Sequence, residues 1–179
     1  MRCLTIVFFF LAAFPALAND WDALEQPGAI AMMRHALAPG FSDPANFELR
    51  DCSTQRNLDA RGRAQARAIG DAIRARGINF DRVFSSQWCR TLETARLLDL
   101  GPVEEAAALN SFFENRGNRD AQTRKTLDLL RETEGRLMVV THQVNITAIT
   151  GGGVASGEII VIRLTDSGAE VIGSILIDP

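Results

Sequence analysis

Ile30-Ala31-Met32-Met33-Arg34-His35 and Leu137-Met138-Val139-Val140-Thr141-His142 are two short apolar runs, each closed by a histidine. Unbroken apolar runs of this length suit strands buried on both faces, and such strands need helices above and below them. Helical patterns fill the sequence between the two. Asp59 caps a predicted helix over Ala60–Arg76, with Ala66, Ile69 and Ile73 at core spacing and Gly77 as its stop. Gly28–Arg34 reads as the first strand, Arg82–Ser85 as the second, and Trp88–Leu98 as a helix. A third helix carries Thr123, Leu127 and Leu130 on one face; Arg136–Thr141 is then a strand and Val144–Thr150 a short helix. Glu158–Leu164 and Ala169–Ile177 form a hairpin turning at Asp166-Ser167-Gly168. This alternation predicts an α/β fold, a three-layer α/β/α sandwich around a mainly parallel sheet.

Two stretches stay irregular, Ala36–Leu58 with Pro39, Gly40 and Pro44, and Gly101–Arg119. A loop as long as the first is functional or mobile in a compact domain, and a lid is one form it takes.

The first 18 residues have the three-part build of an export leader: Arg2, an apolar run from Leu4 to Phe14, then Pro15 and the small-residue site Ala16-Leu17-Ala18. The apolar run is too short to span a bilayer, which takes about 20 residues. Cleavage after Ala18 leaves one domain, residues 19–179, with 18 basic against 22 acidic side chains and a net charge of −4. That balance argues against coating a nucleic acid, and no stable membrane insertion is expected after cleavage.

Cys3 leaves with the leader, so the remaining cysteines are Cys52 and Cys89. Two cysteines exported together suit a disulfide; two buried thiols are the other reading. A bridge would close a loop of about 36 residues, worth roughly 4 kcal/mol in the chain-entropy model. Neither pairs with His35 or His142 at zinc-ligand spacing, so no metal is expected. Nor does an arginine stand six residues after either cysteine, where Leu58 and Ala95 lie, as a cysteine phosphatase would require.

The chemistry concentrates at strand ends, where open α/β sheets bind ligands. His35 and His142 each follow a strand, and Arg90 falls in the first turn of the helix after Ser85-Ser86-Gln87-Trp88-Cys89, where free N–H groups favour an anion. With Arg34, two histidines and two arginines converge. Guanidinium forks suit phosphoryl oxygens, one neutral imidazole can attack phosphorus, and the other can donate to the developing charge. This is phosphoryl transfer through phosphohistidine, needing no cofactor. Walker-type Gly-Lys-Ser/Thr and Gly-x-Ser-x-Gly patterns do not occur.

These residues resemble the histidine phosphatase superfamily, the phosphoglycerate-mutase-like proteins. The resemblance lies in Arg34-His35, in Leu58-Asp59 with Gly62, Gln65 and Ala66, in Ser85-Ser86 through Arg90-Thr91 with Glu93-Thr94-Ala95, and in Val140-Thr141-His142. It implies a phosphoglycerate-mutase-like fold, His35 as nucleophile, and Arg34, Arg90 and His142 around the phosphate. Ala36 replaces the glycine that usually follows the nucleophile. The proton donor for the leaving oxygen departs from both family patterns, since Gln143 and Ser111 stand where carboxylates are found. Glu114 is the nearest substitute, with Asp43, Glu48 and Asp51 as rivals. Asn145 either binds phosphate or substrate or caps the last helix, and Asn57 and Arg50 are further candidates. The sequence thus reads as a periplasmic or secreted phosphatase acting on a small-molecule or glycan phosphomonoester, a phosphorylated envelope sugar among them. The competing reading is a phosphate-binding pseudo-enzyme without an effective acid.

Overall fold

The strands β1 (Ala29–Arg34), β2 (Arg82–Ser85), β3 (Val103–Glu105), β4 (Leu137–Thr141), β5 (Ile159–Thr165) and β6 (Gly168–Ile175) alternate with the helices α1 (Ala60–Arg74), α2 (Cys89–Leu98), α3 (Arg119–Glu132) and α4 (Gln143–Thr150). These come from a computed structural model, which describes residues 19–177; the predicted leader lies outside them. The strands form one sheet in the order β3-β2-β4-β1-β5-β6. Its β3/β2, β2/β4 and β4/β1 pairs are parallel, whereas β1/β5 and β5/β6 are antiparallel. The expected parallel sheet is therefore a mixed one, with the predicted hairpin added along one side. Its connection is the tight Asp166-Ser167 turn.

Side chains alternate across β1 as a strand with two covered faces demands. Ala29, Ala31 and Met33 pack with Ile69, Ile73, Ala95 and Leu98 of α1 and α2. Ile30 and Met32 face Leu130 of α3 and Ile146 of α4. The result is the three-layer sandwich. From β1 to β3 the chain moves across the sheet in one direction, and from β3 to β4 it turns back. Right-handed crossovers then place α1 and α2 on one face and α3 on the other, and β1 and β4 become neighbours at the switch point.

Two glycines allow α1 to sit close to what it packs against. A Cβ on Gly62 would stand 1.9 Å from the Leu37 carbonyl oxygen, and one on Gly70 would stand 2.0 Å from that of Leu98. Asp59 caps α1 as expected, accepting from the Gly62 amide at 2.8 Å.

Two expectations change. The second irregular stretch contains β3, a three-residue edge strand too short and exposed to show a pattern. Helix α3 buries Thr126 and Leu130 while Leu127 is only half-buried, because the Thr126 hydroxyl turns inward to donate to the Ala108 carbonyl at 2.8 Å. Of the two readings of the cysteines the bridge is the one found, and it fastens the first long loop to the body. The Cys52–Cys89 disulfide (S–S 2.05 Å) ties it to the start of α2, where Gln55 Oε1 also accepts from the Cys89 amide at 2.9 Å. Among the described residues, no helix is long and apolar enough to cross a membrane.

Candidate active site

Parallel β1, β2 and β4 end on the same edge of the sheet, and the residues just past those ends form the floor of a cavity of about 1090 Å³. Arg34 and His35 come from β1, Arg90 from the first turn of α2, and His142 from the end of β4. The two imidazoles lie edge to face, ring centres 5.6 Å apart. Both are buried.

His35 Nδ1 donates to the Ala36 carbonyl at 2.8 Å, which leaves Nε2 unprotonated with its lone pair available. The Ser86 hydroxyl lies 2.8 Å from His142 Nε2 and 3.4 Å from Asn110 Oδ1. Arg90 Nη2 lies 3.5 Å from His142 Nδ1, which brings the guanidinium against the second imidazole. Both histidines are held neutral, their pKa well below the usual value, first by burial and then by the Arg90 charge.

Ala36 takes the place of the family's glycine without strain. It is fully buried, its backbone is not left-handed, and its amide donates to Thr94 Oγ1 at 3.1 Å.

The floor holds one arginine that the sequence did not single out. Arg56 reaches the cavity from the far end of the first loop. Burial first, and then the Arg90 charge, lower its pKa to about 10. Burial and Arg90 lower Arg34 as well. Arg34, Arg56 and Arg90 each keep an Nε–H buried without a partner. Against these three cations stands one half-buried countercharge. Asp43 receives Arg90 at 2.7 Å, the Trp88 indole at 3.1 Å and the Arg56 amide at 3.0 Å. Burial opposes its charge, but the Arg90 guanidinium and the two N–H donors outweigh burial and hold the carboxyl below its ordinary range.

Three guanidiniums, one carboxylate and two neutral imidazoles leave two positive charges over, the complement of a phosphomonoester dianion. Among the described residues, no group of three or more metal-ligating side chains comes together.

Of the proton-donor candidates, Glu114 and Asp43 line the cavity, as do Ser111 and Gln143 at the two family positions. Glu114 is exposed on the rim and accepts from the Ser42 hydroxyl at 3.0 Å. Glu48 and Asp51 do not line the cavity; Asp51 caps a short turn through Ser53. Arg50 pairs with Glu105, and Asn57 bonds the Cys52 and Gln55 carbonyls. Asn145 does not cap α4, and its Oδ1 is buried without a partner among the described residues. Its amide donates to the Asn110 carbonyl at 3.0 Å, and it is absent from the cavity wall. It anchors the loop that carries Ser111 and Glu114.

The rim is aromatic. Phe47 stacks on Trp88, ring centres 5.1 Å apart, and Phe41 meets Phe113 edge-on at 5.2 Å. Apart from Trp88, which falls in the quoted strand-end segment, these aromatics carry no signal in the sequence that marks them as part of a site.

The fold matches known structures over most of its length at low identity. A protein histidine phosphatase SixA complexed with tungstate is 16% identical (TM-score 0.59, 82% of this chain and 96% of that one). A phosphoglycerate mutase from Thermus thermophilus is also 16% identical (TM-score 0.61, 84% and 99%). A phosphoserine phosphatase mutant from Entamoeba histolytica in complex with phosphoserine is 12% identical (TM-score 0.58, 82% and 96%). No curated protein matches the chain significantly. The family model described as histidine phosphatase superfamily (branch 1) matches residues 30–126, over half of the chain. The chain therefore belongs to the histidine phosphatase superfamily.

Proposed function

We propose that the protein is an exported phosphatase that hydrolyses phosphomonoesters through a phosphohistidine at His35, without a metal. The observation that carries this reading is the surplus of two positive charges on the cavity floor beside a buried histidine whose Nε2 is unprotonated. Arg34, Arg56 and Arg90 hold the phosphoryl oxygens, and His142 donates to one of them. His35 Nε2 attacks phosphorus as the ester P–O bond breaks, and the departing alkoxide takes a proton from an acid at the rim. Glu114, which lines the cavity at its rim, is our candidate for that role. Asp43, held ionised by Arg90, is suited to accept a proton instead, from the water that attacks the phosphohistidine and releases inorganic phosphate.

The leader-like first 18 residues and the Cys52–Cys89 bridge support export to a periplasm or beyond, with residues 19–179 as the working domain. In that compartment a phosphorylated envelope sugar is the substrate we favour. Phosphate release from phosphorylated core oligosaccharide tests it, and soluble esters turning over while the oligosaccharide does not would exclude it.

Ser111 and Gln143, standing in the cavity wall without a carboxylate, favour a second reading, a pseudo-enzyme that binds phosphate esters. One assay separates the two: p-nitrophenyl phosphate hydrolysis in EDTA by the leaderless protein and by His35→Ala. The enzyme reading expects turnover that survives EDTA and falls at least ~10³-fold in the variant. Vanadate binding without turnover would establish the pseudo-enzyme.

A further inference from the structure

From Asn19 to the end, the chain has six phenylalanines and two tryptophans. Five of these eight, Phe41, Phe47, Trp88, Phe112 and Phe113, line the active-site cavity. The sheet is packed instead by aliphatic side chains and methionine, with Phe84 as its one buried ring. A core would be the ordinary place for aromatic area, so its concentration at one opening points to a ligand. Phe41 makes the point most sharply, because it stands 81% exposed on the rim, held only edge-on by Phe113. The cavity, at about 1090 Å³, is also far larger than a phosphate ion needs.

Beyond the rings the wall becomes basic again. Arg116 lies over the Phe113 ring at 4.8 Å, and Arg119 follows at the start of α3. Both are exposed, and among the described residues neither has a carboxylate within ion-pair distance. The one carboxylate of this rim, Glu114, is bonded to Ser42.

We infer that the rim is a leaving-group subsite, selecting a phosphomonoester whose alcohol carries a flat ring with an apolar face and, beyond it, a second anionic group. The ring packs against Phe41 and Phe113, and the anion meets Arg116 and Arg119. An aryl ring and the apolar face of a pyranose share this chemistry. The inference rests on the proposal that the floor takes the phosphoryl group.

Phosphonates, which cannot be hydrolysed, test it by calorimetry whether or not the protein turns over. Inorganic phosphate and ethylphosphonate report the floor alone. An aryl arm uses 2-phenylethylphosphonate with and without a para-carboxylate, and a sugar arm uses a pyranose phosphonate with and without a uronic carboxylate. In one arm or both, the ring should tighten binding about 10-fold over ethylphosphonate, and the carboxylate several-fold more. Phe41→Ala should erase most of the ring increment; as an exposed residue it is removable without unfolding the protein. Arg116→Gln and Arg119→Gln should erase the carboxylate increment. Binding of ethylphosphonate with no ring increment in either arm, or an increment that survives Phe41→Ala, overturns the subsite and leaves the floor standing. Failure of inorganic phosphate and ethylphosphonate to bind refutes the floor itself, and the subsite falls with it.

Discussion

The floor of the cavity and its rim come from different kinds of chain. Four floor groups, Arg34, His35, Arg90 and His142, stand at the ends of buried parallel strands or in the first turn of a helix, and only Arg56 and Asp43 reach the floor from the first loop. Apart from Trp88 at the start of α2, the rim groups come from two long connections, residues 36–58 and 110–119, fastened at a few points. The contrast separates two requirements. Phosphoryl chemistry needs donors and a nucleophile fixed to within a fraction of an ångström, whereas recognition of a leaving group needs area and charge on a surface that can differ between relatives.

Substitution at the floor should therefore cost the most. Arg90 is the most buried of the three guanidiniums, its side chain 5% exposed, and Asp43 is its partner at 2.7 Å. Arg90→Ala should lower kcat/KM at least ~10³-fold on every ester, because it removes a charge aimed at the transferring group. It should also destabilise the fold by about 3 kcal/mol in urea titrations, since Asp43 loses its countercharge. A uniform loss below tenfold would mean that Arg34 and Arg56 suffice, and the floor would be less specialised than argued.

Glu114 tests whether the rim takes part in the chemistry. Glu114→Gln should slow alkyl phosphates by roughly 100-fold and leave p-nitrophenyl phosphate nearly unchanged, because that leaving group needs no proton. Equal loss on both ester types, or none, removes Glu114 from the role.

What was legible in the sequence follows the same division. Arg34, His35 and His142 stand directly on runs whose apolar character marks them as strands, so their convergence follows from the sheet alone. Arg90 could be placed because a helix start has a fixed geometry. Arg56 could not, because its position depends on how a loop of more than twenty residues returns to α1, and that path is set by Gln55, the disulfide and the Asp43 contacts. The aromatic rim carries no period, since residues in loops obey none. Asn145 opens a helix beside His142, and its bond to the Asn110 carbonyl shows only in the packing. The edge strand β3 is too short for any pattern.

The disulfide joins the two regions, since it ties the rim loop at Cys52 to the residue preceding Arg90. The double variant Cys52→Ser/Cys89→Ser frees a 37-residue separation and should lose up to about 4 kcal/mol of stability. Gln55 still holds the Cys89 amide, so the floor should stay assembled. The expected signature is a KM several-fold higher for ring-bearing esters with a smaller change in kcat. An equal fall in kcat on all esters would show that the floor depends on the bridge as much as the rim does.

The smallest expected effect is an acid-side loss of stability that belongs to the floor alone. His35 and His142 are neutral in the folded protein, with pKa held well below 6.5 by burial and by Arg90. In the unfolded chain each titrates near about 6.5. Between the two values the unfolded state binds more protons, so stability is complete above about pH 6.5 and falls as the pH drops below it. The limiting slope is about 1.4 kcal/mol per pH unit for each histidine. Asp43, whose carboxyl is lowered, adds its own loss only at more acidic pH, below the ordinary carboxylate range. Urea unfolding at pH 7.5, 6.5 and 5.5 should show the decline, and His35→Ala should remove about half of it. Saturating vanadate should flatten the curve further, because a bound dianion offsets the arginine charges that keep the imidazoles neutral. Equal stability at pH 7.5 and 5.5 would mean that the histidines are not held neutral, and the argument for His35 as a ready nucleophile would lose its electrostatic basis.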